Sequence, residues 1–166
     1  MINIIIGKIN SGKTTRMTQF YNKHPHGDGF ISRKIMIGTD VYGFNAIRLS
    51  DKFEIPFMIH ERYYFENEKI SYEDEDIKYD YKIGPYHVLS SGIEFIEDTY
   101  INIFKKNVNP VFFDEVGKLE LDELGYYKYI YKAISLNKDV FITVREDLLL
   151  DIIEKFKITK YEIISR

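Results

Sequence analysis

The chain contains no cysteine. That excludes a disulfide scaffold, a cysteine-ligated zinc or iron–sulfur centre and a thiol nucleophile. It lacks any apolar stretch near the roughly 20 residues that a membrane-spanning helix needs, so no membrane partner is expected. It also lacks an excess of positive charge. The 23 Lys and Arg against 26 Asp and Glu leave a formal charge of −3. A mildly acidic chain is a poor nucleic-acid binder by bulk charge, and only a local basic patch would change that. Arginine is sparse: Arg16, Arg33, Arg48, Arg62, Arg145 and Arg166, with no two clustered. There is no internal repeat and no linker. The N-terminal MINIIIGK has no basic region before its apolar run and no cleavage site, so it reads as a strand rather than a signal peptide. A cytoplasmic location is the expectation.

What is present describes one globular domain spanning 1–166. Hydrophobic residues make up 45% and charged residues 30%, a balance that folds rather than stays disordered. A chain of this length buries roughly 70% of its unfolded surface and needs no covalent staple.

Strands and helices alternate at both ends. Ile2 to Ile6 is a short apolar run ending at Gly7, as a buried parallel strand requires, and Thr14 to Lys23 reads as a helix stopped by His24-Pro25-His26-Gly27. Gly29 to Ile37 and Phe44 to Leu49 read as an antiparallel hairpin projecting from one side. Phe53 to His60 follows as a strand, with Pro56 arguing for an edge. Phe65 to Tyr81, including the acidic Glu73 to Asp76, reads as a solvated loop rather than a metal site. Ser90 or Ser91 can cap a helix to about Asn107. A strand (Pro110 to Val116), a helix (Asp122 to Leu136), a strand (Asp139 to Val144), a helix (Glu146 to Phe156) and a strand (Tyr161 to Ile164) complete the chain. The expected fold class is α/β, with a mainly parallel sheet flanked by helices and an antiparallel hairpin insert. An α+β arrangement would leave the fully apolar strands unexplained.

Gly7-Lys8-Ile9-Asn10-Ser11-Gly12-Lys13-Thr14 fits G-x-x-x-x-G-K-[ST] at each fixed position, after an apolar strand and before a helix. A polyphosphate concentrates negative charge. A loop that wraps it must aim successive backbone N–H groups inward and keep side chains out of the way. Gly7 ends the strand, and Gly12 lets the backbone approach. Lys13 places an ammonium between the β- and γ-phosphates, the Thr14 hydroxyl is a ligand for Mg2+, and the helix start, Thr15 included, turns its positive end to the phosphates. A second acidic element follows at Val111-Phe112-Phe113-Asp114-Glu115. A carboxylate at the carboxyl end of a parallel strand faces the same sheet edge as the loop. Asp114 can hold a magnesium-bound water there, and Glu115 can orient or deprotonate an attacking water.

Phe113-Asp114-Glu115-Val116-Gly117-Lys118-Leu119-Glu120-Leu121 resembles the DEIGKMEL signature of the cancer-related nucleoside-triphosphatase family, small P-loop proteins of bacteria, archaea and animals. GKINSGKTT is similar to that family's phosphate loop, and the segment from Gly29-Phe30 to Gly43-Phe44 to its GFYT…GF hairpin. The resemblance spans nearly the whole chain and implies a P-loop NTPase fold and slow hydrolysis of several nucleoside triphosphates. Gly7, Gly12, Lys13, Thr14, Asp114 and Glu115 match the family's positions. Lys118 and Glu120 match too, without a role that spacing can assign. The chain departs at Asn10-Ser11, where the family commonly has Gly-Val, and at Val144-Arg145-Glu146, where the family has His and basic residues.

A nucleoside or nucleotide kinase is the alternative enzyme, but such kinases carry an Arg-rich lid that this chain lacks. A GTP-binding switch needs an N-K-x-D base reader; Asn137-Lys138-Asp139-Val140 has the wrong spacing and Asn22-Lys23-His24-Pro25 lacks the Asp. Arg145 either stabilises charge on the γ-phosphate or caps its strand. His24 and His26 read as a solvated turn. Tyr126, Tyr127, Tyr129 and Tyr131 read as core and rim, since only Lys128 and Lys132 interleave with them.

Overall fold

The structure is a computed structural model that describes residues 1–68 and 79–165, with the side chains of 65–68 and 79–80 outside the description. The acidic run Glu73 to Asp76 therefore lies outside the described residues. The elements in order are β1 (Ile2–Gly7), α1 (Lys13–Lys23), β2 (Asp28–Ile37), β3 (Asp40–Arg48), β4 (Glu54–His60), α2 (Glu61–Glu68), β5 (Tyr79–Ile83), β6 (Tyr86–Leu89) and α3 (Ser90–Lys105). Then come β7 (Val111–Val116), α4 (Lys118–Leu121), α5 (Tyr127–Ser135), β8 (Val140–Arg145), a 3-10 turn (Glu146–Leu148), α6 (Leu149–Lys155) and β9 (Tyr161–Ile164).

One sheet holds the described strands in the order β5-β6-β4-β3-β2-β7-β8-β1-β9. From β2 to β9 each pairing is parallel, and from β2 to β5 each is antiparallel. The hairpin of β2 and β3 does not stand off the body. It prolongs the sheet, because β2 pairs with β7 at one end and with β3 along its length. Pro56 pairs with Asn45 of β3 and lies before Met58, where pairing with β6 begins, so it is not in a ladder with β6.

Side-chain alternation assigns the two faces. Ile4, Phe113 and Ile142 point into the larger core with Tyr100 of α3, Ile130 of α5 and Ile152 of α6. Their neighbours Ile5, Phe112 and Phe141 point the other way, onto Met17 and Tyr21 of α1. Lys13, Met17 and Tyr21 form the buried stripe of that helix at a spacing of four. Tyr126 and Tyr129 pack against Tyr100, while Tyr131 is exposed at the rim.

Several expected elements differ; the stretch 65–81, expected as a loop, holds the end of α2 and the start of β5. Helix α3 starts at Ser90 after Leu89, with no side-chain cap hydrogen bond at the Leu89 position. The helix expected over 122–136 begins only at Tyr127, and a separate short helix, α4, precedes it. Gly125 adopts φ 57°, and the buried Glu120 carboxylate takes the Gly117 N–H (2.8 Å) and the Tyr126 N–H (2.9 Å). One side chain thus satisfies donors on both sides of the break, which is the structural use of Glu120. Burial pushes its carboxyl above the usual range, and the two N–H bonds pull it back. Among the described residues no helix is long and apolar enough to cross a membrane.

Candidate functional site

The loop between β1 and α1 stands at the carboxyl ends of the parallel strands. Gly7 is buried there, and a Cβ on it would lie 2.2 Å from Ser11 Oγ, so any larger residue would displace the Ser11 side chain. Gly12 has φ 81°, a left-handed conformation that glycine adopts without steric cost. It directly precedes α1, whose first N–H groups have no partner within the helix. The Lys13 side chain is 4% exposed and donates to the Lys8 carbonyl at 3.1 Å. A nearly dehydrated ammonium with one neutral acceptor is poised to take an anion.

Asp114 is the meeting point of three elements. Its Oδ2 accepts from the Thr14 hydroxyl at 2.8 Å and from the Ser32 N–H at 3.0 Å, and its Oδ1 accepts from the Thr143 hydroxyl at 2.6 Å. The carboxylate is 1% exposed. Burial raises its proton affinity, and these bonds oppose the rise. The sheet explains the convergence. Asp114 follows Phe113 by one residue and Thr143 follows Ile142 by one, so both turn to the α1 face, where Thr14 opens the helix.

Glu115 is placed by a break in the ladder. Phe113 pairs with Ile142 and Val116 with Val144, so two residues of β7 oppose the single Thr143 of β8. That bulge re-aims a side chain. Glu115 adopts φ 58° and gives its N–H to Thr143 Oγ1 at 2.7 Å. Its carboxylate makes no ion pair among the described residues and lines the cleft above the loop. Burial and the Asp114 charge raise its proton affinity, while Lys13, Lys34 and Arg145 lower it.

The cleft has a volume of about 620 Å³. One wall is Asn10 to Thr15 with Thr18 and Gln19, a turn further along α1; the other is Ile31 to Lys34 with Phe44 and Ile47. Gly7, Lys8 and Ile9 lie outside this lining, with Ile9 65% exposed. Lys118 is exposed and is not paired with Glu115. Arg145 stands beside Gly7 in the β1–β8 register and binds Asp147 through two bonds of 3.0 and 2.5 Å. His24 packs on Phe141, with His26 edge-on to it.

Ser32 and Thr143 escape a reading by sequence motif. Thr143 had one signal, a hydroxyl inside the otherwise apolar VFITV. Ser32 acts through its backbone N–H, which carries no residue signature. Among the described residues, no cluster of three or more His, Cys, Asp or Glu could hold a metal. A cation here would rest on the Thr14 hydroxyl and Asp114, two hard oxygens in contact, with the remaining ligands from outside the protein. That donor set suits Mg2+ bound with a phosphate.

The NTPase family profile matches residues 3–165. Two relatives are nucleoside-triphosphatases THEP1. The Thermotoga petrophila protein is 22% identical over 143 residues, covering 86% of this chain and 71% of its own. The Thermotoga maritima protein has the same identity and span, covering 73% of its own length. The fold is that of the THEP1 crystal structure from Aquifex aeolicus (TM-score 0.65, 18% identity, 99% of this chain and 89% of that one). It is also that of the solution structure of a human cancer-related nucleoside triphosphatase (TM-score 0.61, 18% identity, 98% and 88%).

Proposed function

We infer the activity from one premise, that this chain belongs to the NTPase family: it is a nucleoside-triphosphatase. We assign the reaction as Mg2+-dependent hydrolysis of nucleoside 5′-triphosphates to the diphosphate and phosphate. The observation that carries the assignment of residues is the 2.8 Å bond between Thr14 and Asp114, which joins the phosphate loop to the acidic strand.

In this reading the triphosphate lies along residues 10 to 15, with Lys13 releasing the Lys8 carbonyl to take β- and γ-phosphate oxygens. Thr14 and Asp114 would hold Mg2+, which would supply positive charge to offset that of those oxygens. A water in line with the γ-phosphorus attacks; its oxygen bonds to phosphorus as the bond to the β-phosphate oxygen breaks. Glu115 accepts the proton. Asp114 is unsuited to that step, because both of its oxygens are already engaged. The raised proton affinity of Glu115 suits a base better than an ordinary glutamate would. Gly12 keeps the loop open to the phosphates, and Thr15 and Asn10 complete its rim. Nothing in the cleft forms an N-K-x-D base reader, so loose base choice follows.

The test is phosphate release with magnesium and each of ATP, GTP, CTP and UTP, repeated with nucleoside acceptors. Comparable release from all four supports the reading. Transfer to an acceptor with little free phosphate would replace it with a kinase.

A further inference from the structure

We propose that Lys34 is the second cation of the triphosphate site, closing on the γ-phosphate from the wall opposite the loop. This rests on the triphosphatase reading above and concerns a residue outside both motifs.

Several cations stand around the cleft. Lys13 is enclosed in the loop. Arg33 is spent on the carboxylate of Glu54, which also holds Asn45 at 2.8 Å. Arg145 is spent on Asp147. Lys34 has no carboxylate partner among the described residues. Its ammonium reaches across the cleft to the neutral amide oxygen of Asn10, at 2.7 Å. Asn10 sits inside the phosphate loop with φ 60°, so the charge is parked at the loop's mouth.

Position explains why this lysine can serve. β2 is held by β7 only up to Phe30; beyond it, Lys34 pairs with Phe44 of β3 alone. Ser32, two residues earlier, gives its N–H to Asp114. The backbone is thus fixed against the acidic strand, while the side chain two residues on overhangs the loop. Lys34 and Glu115 line the same cleft, together with residues 10 to 15 of the loop. A cation that touches the loop and shares the cleft with the general base lies on the γ side of the site.

Energetics favour the exchange. An ammonium bonded to a phosphate oxygen makes a charge-assisted bond, roughly twice as strong as one to a neutral partner. The amide of Asn10 is a weak holder that a γ-phosphate displaces. The flexible stem of lysine permits the short swing. A diphosphate, which has no γ-phosphate, leaves the ammonium on Asn10.

The experiment measures kcat for phosphate release, and ATP and ADP affinity by calorimetry with magnesium, for the unmodified protein, Lys34→Gln, Lys34→Arg and Lys13→Ala. Lys34→Gln keeps a donor for Asn10 and removes the charge. It should lose about 100-fold in kcat, the scale of removing one group that stabilises transition-state charge. It should bind ATP more weakly and ADP within twofold of the parent. Lys34→Arg should recover most of the rate. A Gln variant with parental kcat and an unchanged ATP-to-ADP affinity ratio overturns the proposal. Equal weakening of both nucleotides also overturns it, since the contact would then not be to the γ-phosphate. If the unmodified protein binds neither nucleotide and behaves like Lys13→Ala, the triphosphatase reading itself falls, an outcome distinct from both.

Discussion

In the parallel half of the sheet, β1, β7 and β8 are apolar on both faces, and Val111, Phe112, Phe113, Val140 and Ile142 are all buried. Two polar groups of this half, Asp114 and Thr143, are buried and bonded to each other. In the antiparallel half the strands are half exposed. Their polar side chains meet across the surface as Arg33 with Glu54, Arg62 with Asp40 and Lys82 with Glu61. Helices cover the parallel half on two faces, which compels continuous apolar strands. The antiparallel half is free to keep charges. The cleft lies along the seam, with the loop and α1 on one side and the β2–β3 strands on the other.

The largest expected effect tests the parallel half. Glu115→Gln should lower turnover by about 100- to 10,000-fold with triphosphate binding retained, measured by single-turnover hydrolysis. Activity within a few-fold of the parent would remove Glu115 as the base. The parent should also lose rate as pH falls through a value above the ordinary glutamate 4.5, because protonation removes the base and burial raises the pH at which that occurs. The Gln variant should show no such acid limb. Lys13→Ala should cost about 100-fold in triphosphate affinity through the loss of charge-assisted bonds. Unchanged binding would refute the loop assignment.

Thr143→Val keeps the shape of the side chain and removes both of its hydrogen bonds. We expect about a tenfold fall in kcat with little change in KM, and about 1–3 kcal/mol of lost stability from the orphaned Glu115 N–H. Thr143→Ser should recover both; a loss of stability without loss of kcat would reduce Thr143 to packing. Glu115→Gly should unfold at higher denaturant than Glu115→Ala, by about 1 kcal/mol, because only glycine relieves the left-handed backbone at φ 58°. Equal stability would mean that the bulge carries no strain.

The smallest effect tests the antiparallel half. A double-mutant cycle on Arg33 and Glu54, in which Arg33 is 56% exposed, should give at most about 1 kcal/mol of coupling. A larger coupling would mean that the antiparallel half is as tightly specified as the parallel half, and the contrast between them would fail.

Residues close in sequence carried their own message. The loop from Gly7 to Thr14 is one continuous segment whose glycines, lysine and hydroxyl have fixed spacing because the phosphates have fixed size. Asp114 and Glu115 end an apolar strand, and apolar strands feed the carboxyl edge of the sheet. The break at Gly125 was less legible. A glycine inside a helical pattern is tolerated as often as not, and here Glu120 decides, by taking two backbone donors that an unbroken helix would have left pointing elsewhere.

The amino-acid sequence by itself determined the phosphate loop, the acidic pair and the α/β alternation, because each is written in neighbouring residues under local steric and hydrogen-bonding rules. Only the tertiary structure decided how they meet. Thr14 reaches Asp114 across 100 residues, Ser32 across 82 and Thr143 across 29. Sheet order made those encounters, by setting β7 between β2 and β8 and turning alternate side chains to the face that α1 covers. The reach of Lys34 to Asn10 belongs to the same class. It follows from a strand that outruns its parallel neighbour, and no spacing along the chain encodes that.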